Sequence, residues 1–339
     1  MIKNDTQLNN YLEVIKDATI LGIDTEFRRV DSYFPELCLI QIATKEQLEC
    51  IDVLLIQNLE PLFEKLYDSQ TKWIVHSARQ DIEALYFLSN KVPNAIFDTQ
   101  IAASFLNFPL QISYQSLIER LQNVVLEKKY TRFDWKKRPL PNDVLQYALD
   151  DVKYLIPIYK QLSKELIKHK KLKWSEEEFE FLLNIDTYKP NLKQIIKKTK
   201  GISKIPSQNK ENAINLVSWR ESIAQKKNKP RKWIMSDEKL INYANGSNKL
   251  PPSSLSEYKK FLKSNKKECN FKDLIKVQKP LTDKEILKKN KLKEKIKALS
   301  DEYNIPSELL CTSKNLVNFI RGEDLVKLNK GWRSKIFNL

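Results

Sequence analysis

Apolar residues in the first part of the chain recur with two different spacings. Between the strand-like stretches, apolar positions fall every three or four residues, which predicts helices over Asp81–Leu88, over Gln100–Leu106 and after Pro141. This alternation predicts an α/β domain with a mixed sheet over residues 1–185. The short apolar runs typical of β-strands are Ala18–Phe27, Cys38–Ala43, Leu48–Val53, Trp73–His76 and Ala95–Phe97.

The remainder of the chain has only helical spacing. A stretch rich in lysine, with proline and glycine, predicts a linker over residues 186–207. We therefore expect a helical domain at 208–287 and a second, smaller helical domain at 288–339. The predicted helices are Asn212–Gln225, Asp237–Ala244, Ser256–Lys263, Asp283–Leu299, Ser307–Ile320 and Gly331–Leu339.

The charge is divided unequally between these two parts. The 339 residues carry a formal net charge of +16, yet residues 1–185 hold 23 basic and 27 acidic side chains. The remainder holds 36 basic and 16 acidic side chains, which favours a polyanionic partner such as nucleic acid. The alternative is compositional drift, because 49 of the 59 basic residues are lysine.

Composition excludes several other classes of function. The 5 glycines form neither a dinucleotide-binding turn nor a P-loop, so we expect no nucleotide cofactor. The 2 histidines cannot supply a His-x-x-x-His zinc site, and the 4 cysteines form no C-x-x-C pair, which favours free thiols in a reducing compartment. Because the sequence has neither an apolar run of membrane-spanning length nor an apolar leader, we expect a cytoplasmic protein that does not contact membranes. We also expect a monomer.

Acidic residues stand at one end of the first predicted strand. Asp24 and Glu26 are two positions apart and therefore face the same side of the strand. Two carboxylates so close repel each other, and a cation between them relieves that repulsion. The alternative for an isolated D-x-E is a solvated strand end.

Three further side chains favour a metal site over a solvated strand end. Tyr147 and Asp151 are four apart on one helix face, and Asp81 stands at the head of another helix, where it could also be an N-cap. Asp150 could be an exposed neighbour that only solvates its helix. An oxygen-only donor set selects hard cations such as Mg²⁺ or Mn²⁺. Two such ions about 3.5–4 Å apart support phosphodiester hydrolysis.

The order and spacing of these motifs resemble the ribonuclease D family. That family belongs to the DEDD 3′→5′ exonucleases, in the subgroup with a tyrosine in the third motif, and has a ribonuclease-H-like fold. The resemblance covers nearly the whole chain and rests on LGIDTEF at 21–27, YFPELCLIQ at 33–41, VHSARQD at 75–81, FDTQ at 97–100 and YALDD at 147–151.

The helical part resembles the HRDC domains of the same family. The segments NLVSWRE at 215–221 and RKWI at 231–234 are similar to a first HRDC domain, and IPSELL at 305–310 and KGWR at 330–333 to a second. Because the chain ends soon after Trp332, we expect the second domain to be truncated by its last helix.

The resemblance implies a role for each matching residue of the first domain. Asp24, Glu26, Asp81 and Asp151 would hold two divalent cations, Mg²⁺ or Mn²⁺, with Asp24 bridging them. Tyr147 would orient the attacking water.

Three neighbouring residues are candidates for substrate binding. Thr25 and Phe27 would contact the terminal base and sugar, although Phe27 could instead be part of the core. His76 would touch substrate or could be a buried structural histidine.

The function implied by the resemblance is hydrolysis of RNA from a free 3′ end with release of 5′-mononucleotides. The expected partners are tRNA precursors during 3′ maturation. The alternatives are a DNA-directed 3′→5′ exonuclease of the same fold, a non-catalytic RNA-binding protein, and a helicase accessory subunit.

Three basic stretches are candidates for contacts with the strand. The aromatic and basic stretch Lys128–Arg138 could hold unpaired bases, or it could be a solvated loop with one anchored tryptophan. Lys226–Lys232 and Lys284–Lys297 could contact phosphates, although a solvated helix face is the safer interpretation of the second.

Overall fold

The computed structural model describes residues 1–127, 129–264, 280–323 and 328–338. Lys128, Cys269 and positions 265–279 of the predicted helical domain at 208–287 lie outside the described residues. The chain forms two compact units. The first unit comprises Met1–Arg28, Leu37–Tyr188 and Leu281–Leu339, and the second unit comprises Arg29–Glu36 and Lys189–Pro280.

A five-stranded mixed sheet lies in the first unit, in the order β3-β2-β1-β4-β5. Strands β1, β4 and β5 are parallel to one another, and β2 and β3 are antiparallel. The elements up to Tyr188 are α1 (Asp5–Val14), β1 (Ile20–Arg28), β2 (Glu36–Ala43), β3 (Leu48–Asp52), α2 (Glu60–Leu66), β4 (Lys72–Val75), α3 (Arg79–Ser89), β5 (Ala95–Asp98), α4 (Thr99–Ser104), α5 (Tyr114–Gln122), α6 (Asn142–Lys153), α7 (Leu155–Lys168), α8 (Leu172–Leu183) and a 3₁₀ turn at Ile185–Thr187.

Close packing of α7 on the sheet depends on Gly22 in β1. A Cβ atom at this position would lie 3.1 Å from the Ala43 Cβ and 3.2 Å from the Leu155 Cβ. Glycine therefore allows the first turn of α7 to approach the backbone of β1. The residues on either side, Leu21 and Ile23, are fully buried in the core.

The second unit is helical where the structure describes it, apart from its Arg29–Glu36 segment. Its core contains Trp219, Leu240 and Tyr258. Its elements are α9 (Leu192–Lys198), 3₁₀ turns at Ile202–Lys204 and Ser207–Asn209, α10 (Lys210–Lys226), α11 (Arg231–Ile234), α12 (Asp237–Ala244) and α13 (Pro252–Ser264).

The stretch predicted as a linker at 186–207 is folded. Four isoleucines of this stretch are buried in the core of the second unit: Ile195, Ile196, Ile202 and Ile205. Their burial corrects the linker prediction, which rested on lysine, proline and glycine content. The lysines lie on the exposed faces of short helices whose isoleucines point inwards.

The last helices belong to the first unit. They are α14 (Asp283–Tyr303), α15 (Ser307–Leu310), α16 (Ser313–Ile320) and α17 (Gly331–Phe337). Leu299, Leu310, Trp332 and Phe337 are part of the same hydrophobic cluster as the sheet residues. This part of the chain therefore shares a core with the α/β layer, which differs from the separate domain predicted at 288–339. Within the described ranges, no helix is long and apolar enough to cross a membrane.

Candidate active site

Two acidic side chains lie on the same face of β1, and a third comes from α6. Asp24 and Glu26 are two positions apart in the strand and therefore point to the same side. Asp151 meets them there, and one carboxylate oxygen from each of the three residues lies within 4.8 Å of the other two. All three side chains are partly buried. The structure thus brings together carboxylates that are distant in the sequence, since Asp24 and Asp151 are 127 positions apart.

The fourth predicted ligand, Asp81, lies beside this cluster and not within it. It is buried in the first turn of α3. Thr25, which points to the opposite side of β1 from its two acidic neighbours, donates a hydrogen bond of 2.6 Å from Oγ1 to Oδ1 of Asp81. Among the neighbouring charges that raise the pKa of Asp24, that of Asp81 has the largest effect. Asp81 is therefore close enough to act on the cluster electrostatically.

Burial raises the pKa of all four carboxyl groups, and the charges of neighbouring carboxylates raise each pKa further. Burial is the main cause in each case. It raises the pKa of Glu26 to about 9 and the pKa values of Asp81 and Asp151 to about 7, and that of Asp24 lies well above its usual range. Four acids that share a partly buried site are stable as carboxylates when cations neutralise them. An all-oxygen donor set of this kind fits a hard divalent cation.

Tyr147 holds its proton at neutral pH and hydrogen-bonds to Asp151. Burial and then the charge of Asp151 raise the pKa of the phenol, and the hydrogen bond lowers the pKa of Asp151. The ring of Tyr147 packs against two aromatic residues of the preceding loop. Its centroid lies 6.4 Å from that of Trp135 in a stacked arrangement and 5.8 Å from that of Tyr130 edge to face.

An ion pair that the sequence did not indicate anchors this aromatic loop. Nε and Nη2 of Arg138 lie 2.5 Å and 2.7 Å from the two carboxylate oxygens of Asp52, which is fully buried. Arg138 also donates to the carbonyl oxygen of Trp135 at 2.6 Å. The buried Trp135 therefore packs on Tyr147, which fits the interpretation of an anchored tryptophan better than that of a base-stacking residue.

His76, predicted to bind substrate or to be structural, has both ring nitrogens engaged by the protein. Nε2 donates to the carbonyl oxygen of Ile112 at 3.0 Å, and Nδ1 lies 2.9 Å from the hydroxyl of Thr99. Burial lowers the pKa of His76, which favours the neutral ring. This arrangement supports the structural role.

The other two candidate substrate contacts are also engaged within the first unit. Thr25 is buried with its hydroxyl on Asp81, and Phe27 is partly buried against the hydrophobic core. Beside Tyr147 and Asp151, however, a cavity of about 330 Å³ extends toward the loop that carries Tyr130. A cavity of this size lies at the lower end of the range typical of small-ligand sites.

A buried hydrogen-bond network holds the start of α3. Asp98 caps α4 by accepting from the backbone N–H groups of Gln100 and Ile101. It also accepts from the backbone N–H groups of Ser77 and Ala78 at 3.1 Å and 2.9 Å. Asp98 thereby fixes the turn that leads from β4 to the helix of Asp81.

Known proteins match both the α/β layer and the whole chain. Residues 1–167 match the family model described as a 3′-5′ exonuclease. The ribonuclease D of Bartonella henselae is 32% identical, over 99% of this chain and 87% of that protein. The ribonuclease D of Jannaschia sp. is 30% identical, over 93% of this chain and 87% of that protein.

The chain belongs to the ribonuclease D family. A crystal structure of Escherichia coli RNase D, described as an exoribonuclease involved in structured RNA processing, has the same fold. Its TM-score is 0.82 at 24% identity, over 99% of this chain and 95% of that chain. These matches confirm the predicted family, the predicted fold class and the prediction of a ribonuclease D-like 3′–5′ exoribonuclease.

Proposed function

We propose that this ribonuclease D-like enzyme hydrolyses RNA one nucleotide at a time from the 3′ end and releases 5′-mononucleotides. The observation that carries the proposal is the convergence of Asp24, Glu26 and Asp151 with raised pKa values beside a cavity. Asp24, Glu26, Asp81 and Asp151 would hold two divalent cations. Bound there, the cations would lower the pKa of a water and stabilise the leaving oxygen.

Tyr147 and the cavity supply the remaining parts of the proposed mechanism. Because the phenol of Tyr147 keeps its proton, we assign it the orientation of the attacking water or of the scissile phosphate, and not the removal of a proton. The packing of Trp135 and Tyr130 against its ring fixes the direction of the hydroxyl. The cavity beside Tyr147 and Asp151 would receive the terminal nucleotide.

The substrate we propose is a tRNA precursor with a free 3′ end, processed by a cytoplasmic monomer. The ribonuclease D names of the relatives support RNA over DNA as substrate. The net charge of +16 supports a polyanionic partner. We assign a second RNA contact to the helices of the second unit, whose sequence resembles an HRDC domain.

Asp24→Asn tests the proposed site most directly. The change keeps the shape of the side chain but removes one charge, so hydrolysis of 5′-labelled RNA in Mg²⁺ or Mn²⁺ should fall below detection. Without metal the repulsion in the cluster is smaller, so the melting temperature in EDTA should stay the same or rise. The stabilisation that Mg²⁺ gives to the wild type should be lost.

Two matched variants accompany this measurement. Asp17→Asn, at an exposed acid that is not part of the carboxylate cluster, should keep wild-type activity. Tyr147→Phe should keep the stabilisation by Mg²⁺ and lose roughly 10²–10⁴-fold in rate. Substantial hydrolysis by Asp24→Asn would refute the two-cation site, and faster hydrolysis of DNA than of RNA by the wild type would favour the DNA exonuclease.

A further inference from the structure

Trp233 is exposed, unlike the other tryptophans of the chain. Its side chain is 63% exposed. Of the chain's 6 tryptophans, four are buried in hydrophobic cores and one is partly buried. The buried ones are Trp73, Trp135, Trp219 and Trp332, and the partly buried one is Trp174. Packing within the second unit therefore does not explain the exposed position of this large aromatic ring.

The local fold explains why Trp233 points outward. Pro230 precedes the single turn of α11, and the residues just after Trp233 turn inward: Ile234 packs against the core of the second unit and Met235 is buried in it. Nζ of Lys229 lies 5.7 Å from the centre of the Trp233 ring, within the range of a cation–π contact. Trp233 thus presents an exposed aromatic face with a lysine beside it, and it does not pack in the core.

Exposed lysines flank Trp233 in the sequence. Lys226, Lys227, Lys229 and Lys232 are all exposed. We call these four lysines and Trp233 the Trp233 surface. Residues 189–280, which contain it, hold 23 basic and 7 acidic side chains, whereas the rest of the chain holds 36 of each. The entire net charge of the protein therefore resides in the part that carries the Trp233 surface.

The turn beneath this surface is held in place by polar contacts within the second unit. Oδ1 of Asn228 accepts from the backbone N–H groups of Tyr33 and Phe34 at 3.1 Å and 3.0 Å. Nη2 of Arg231 lies 3.0 Å from Oε1 of the buried Glu221, which also accepts from the hydroxyl of Tyr33. A preorganised turn loses little conformational entropy when a ligand binds.

We propose that the Trp233 surface is a second RNA-binding site, which stacks an unpaired base on Trp233 and holds the adjoining phosphates with the lysines. Single-stranded RNA fits both features, because every base has a face that stacks on an aromatic ring and every linkage carries a negative charge. An acidic protein or an anionic membrane would use the lysines alone. The inference rests on the proposed RNA substrate, but it concerns binding away from the catalytic carboxylates.

Binding measurements in EDTA separate this site from catalysis. We would titrate the full-length protein with a single-stranded 20-nucleotide RNA and, separately, with heparin, a polyanion without bases. Trp233→Leu removes the aromatic face and should weaken RNA binding by about tenfold, while heparin binding is unchanged. Trp233→Phe should retain most of the RNA affinity. Phe181→Ala, a change at another exposed aromatic residue, should have no effect.

Two further readouts test the same site. RNA should protect the exposed indole of the wild type from quenching by acrylamide, and this protection should be absent from Trp233→Phe. Lys226→Ala with Lys232→Ala should flatten the dependence of log K on log salt by about 0.7 for each lost phosphate contact. Unchanged RNA affinity in Trp233→Leu, or an equal loss of RNA and heparin affinity, would overturn the proposal. Failure of the wild type to shorten RNA in Mg²⁺ would instead refute the proposed function.

Discussion

The two helical regions that follow Tyr188 are similar in composition but have different roles in the fold. Both are rich in lysine and consist of short amphipathic helices. The described residues of 189–280 form a core of their own around Trp219, whereas the described apolar residues of 281–338 complete the core of the α/β layer. A region that completes another core is constrained by it, and a region with its own core can devote its surface to a ligand.

The tryptophan in the last helix shows how closely the second of these regions is attached. The ring of Trp332 stacks on Trp174 at 5.2 Å and meets Phe105 edge to face at 5.2 Å. Its backbone N–H donates to Glu177 at 2.7 Å, and its indole N–H donates to Glu178 at 2.9 Å. Trp332 is buried with every donor satisfied, whereas Trp233 lies in water.

Removing the last helices should therefore have the largest effect on the folding of the first unit. A chain that ends at Tyr188 keeps all the proposed catalytic residues but loses α14–α17, which would expose Phe105 and Trp174 to water. We expect this fragment to be insoluble or partly unfolded, as judged by circular dichroism and gel filtration.

The matched variant replaces residues 189–280 with a flexible Gly-Ser linker and keeps α14–α17. This chain should fold, cleave short RNA and lose affinity for long RNA, because only residues 189–280 of the second unit are missing. The segment Arg29–Glu36 would lose its contacts with Asn228 and Glu221, so its sensitivity to proteases should increase. A soluble, active fragment ending at Tyr188 would contradict the shared core.

The pH dependence of stability should also distinguish the two units. In the first unit, Asp81 and Asp151 have pKa values raised to about 7 and Glu26 to about 9. A carboxyl group whose pKa is higher in the folded than in the unfolded state contributes its full stabilisation below the unfolded-state pKa of about 4. This stabilisation is lost as the pH rises through the folded-state pKa. In the second unit, burial opposes ionisation of Asp237, but its hydrogen bond with Arg220 prevails and lowers the pKa. Stability from Asp237 is lost only below about pH 4.

Between pH 6.5 and 8.5 the carboxylates of the first unit should dominate this dependence. In EDTA, we expect the melting temperature of the wild type to fall as pH rises, and Asp151→Asn to have a smaller slope. Mg²⁺ should reduce the slope, because it stabilises the ionised form. Calorimetry across this range provides the measurement, and equal slopes for wild type and Asp151→Asn would show that Asp151 does not titrate there.

Much of the α/β layer could be predicted from the sequence because its signals are local. The strand over Ile20–Arg28 follows from an unbroken apolar run, and the period of two places Asp24 and Glu26 on one face. The four-residue spacing of Tyr147 and Asp151 likewise follows from a helix. These patterns also carried the resemblance that the known relatives confirmed.

The features that were not predicted depend on contacts between distant residues. Arg138 pairs with Asp52 across 86 positions, and Asn228 meets Tyr33 across 195. No periodicity in either segment indicates such a partner. The stretch 186–207 was interpreted as a linker because lysine content hid four inward-facing isoleucines. Helical periodicity alone also cannot show which core an amphipathic helix joins, which is why 281–338 was predicted as a separate domain.

The smallest expected effect is a difference in unfolding free energy between substitutions of two buried tryptophans, one in each core. The indole N–H of Trp332 bonds to Glu178, whereas that of the buried Trp219 has no partner among the described residues. Trp332→Phe therefore loses a hydrogen bond as well as volume, and Trp219→Phe loses volume but removes an unpaired buried donor. We expect Trp332→Phe to be more destabilising by about 1–3 kcal/mol. Urea unfolding measures the free energies, with Trp233→Phe as the exposed control that should change stability little. An equal cost for the two buried positions would mean that packing volume alone, and not the hydrogen bond to Glu178, determines how firmly α17 is attached.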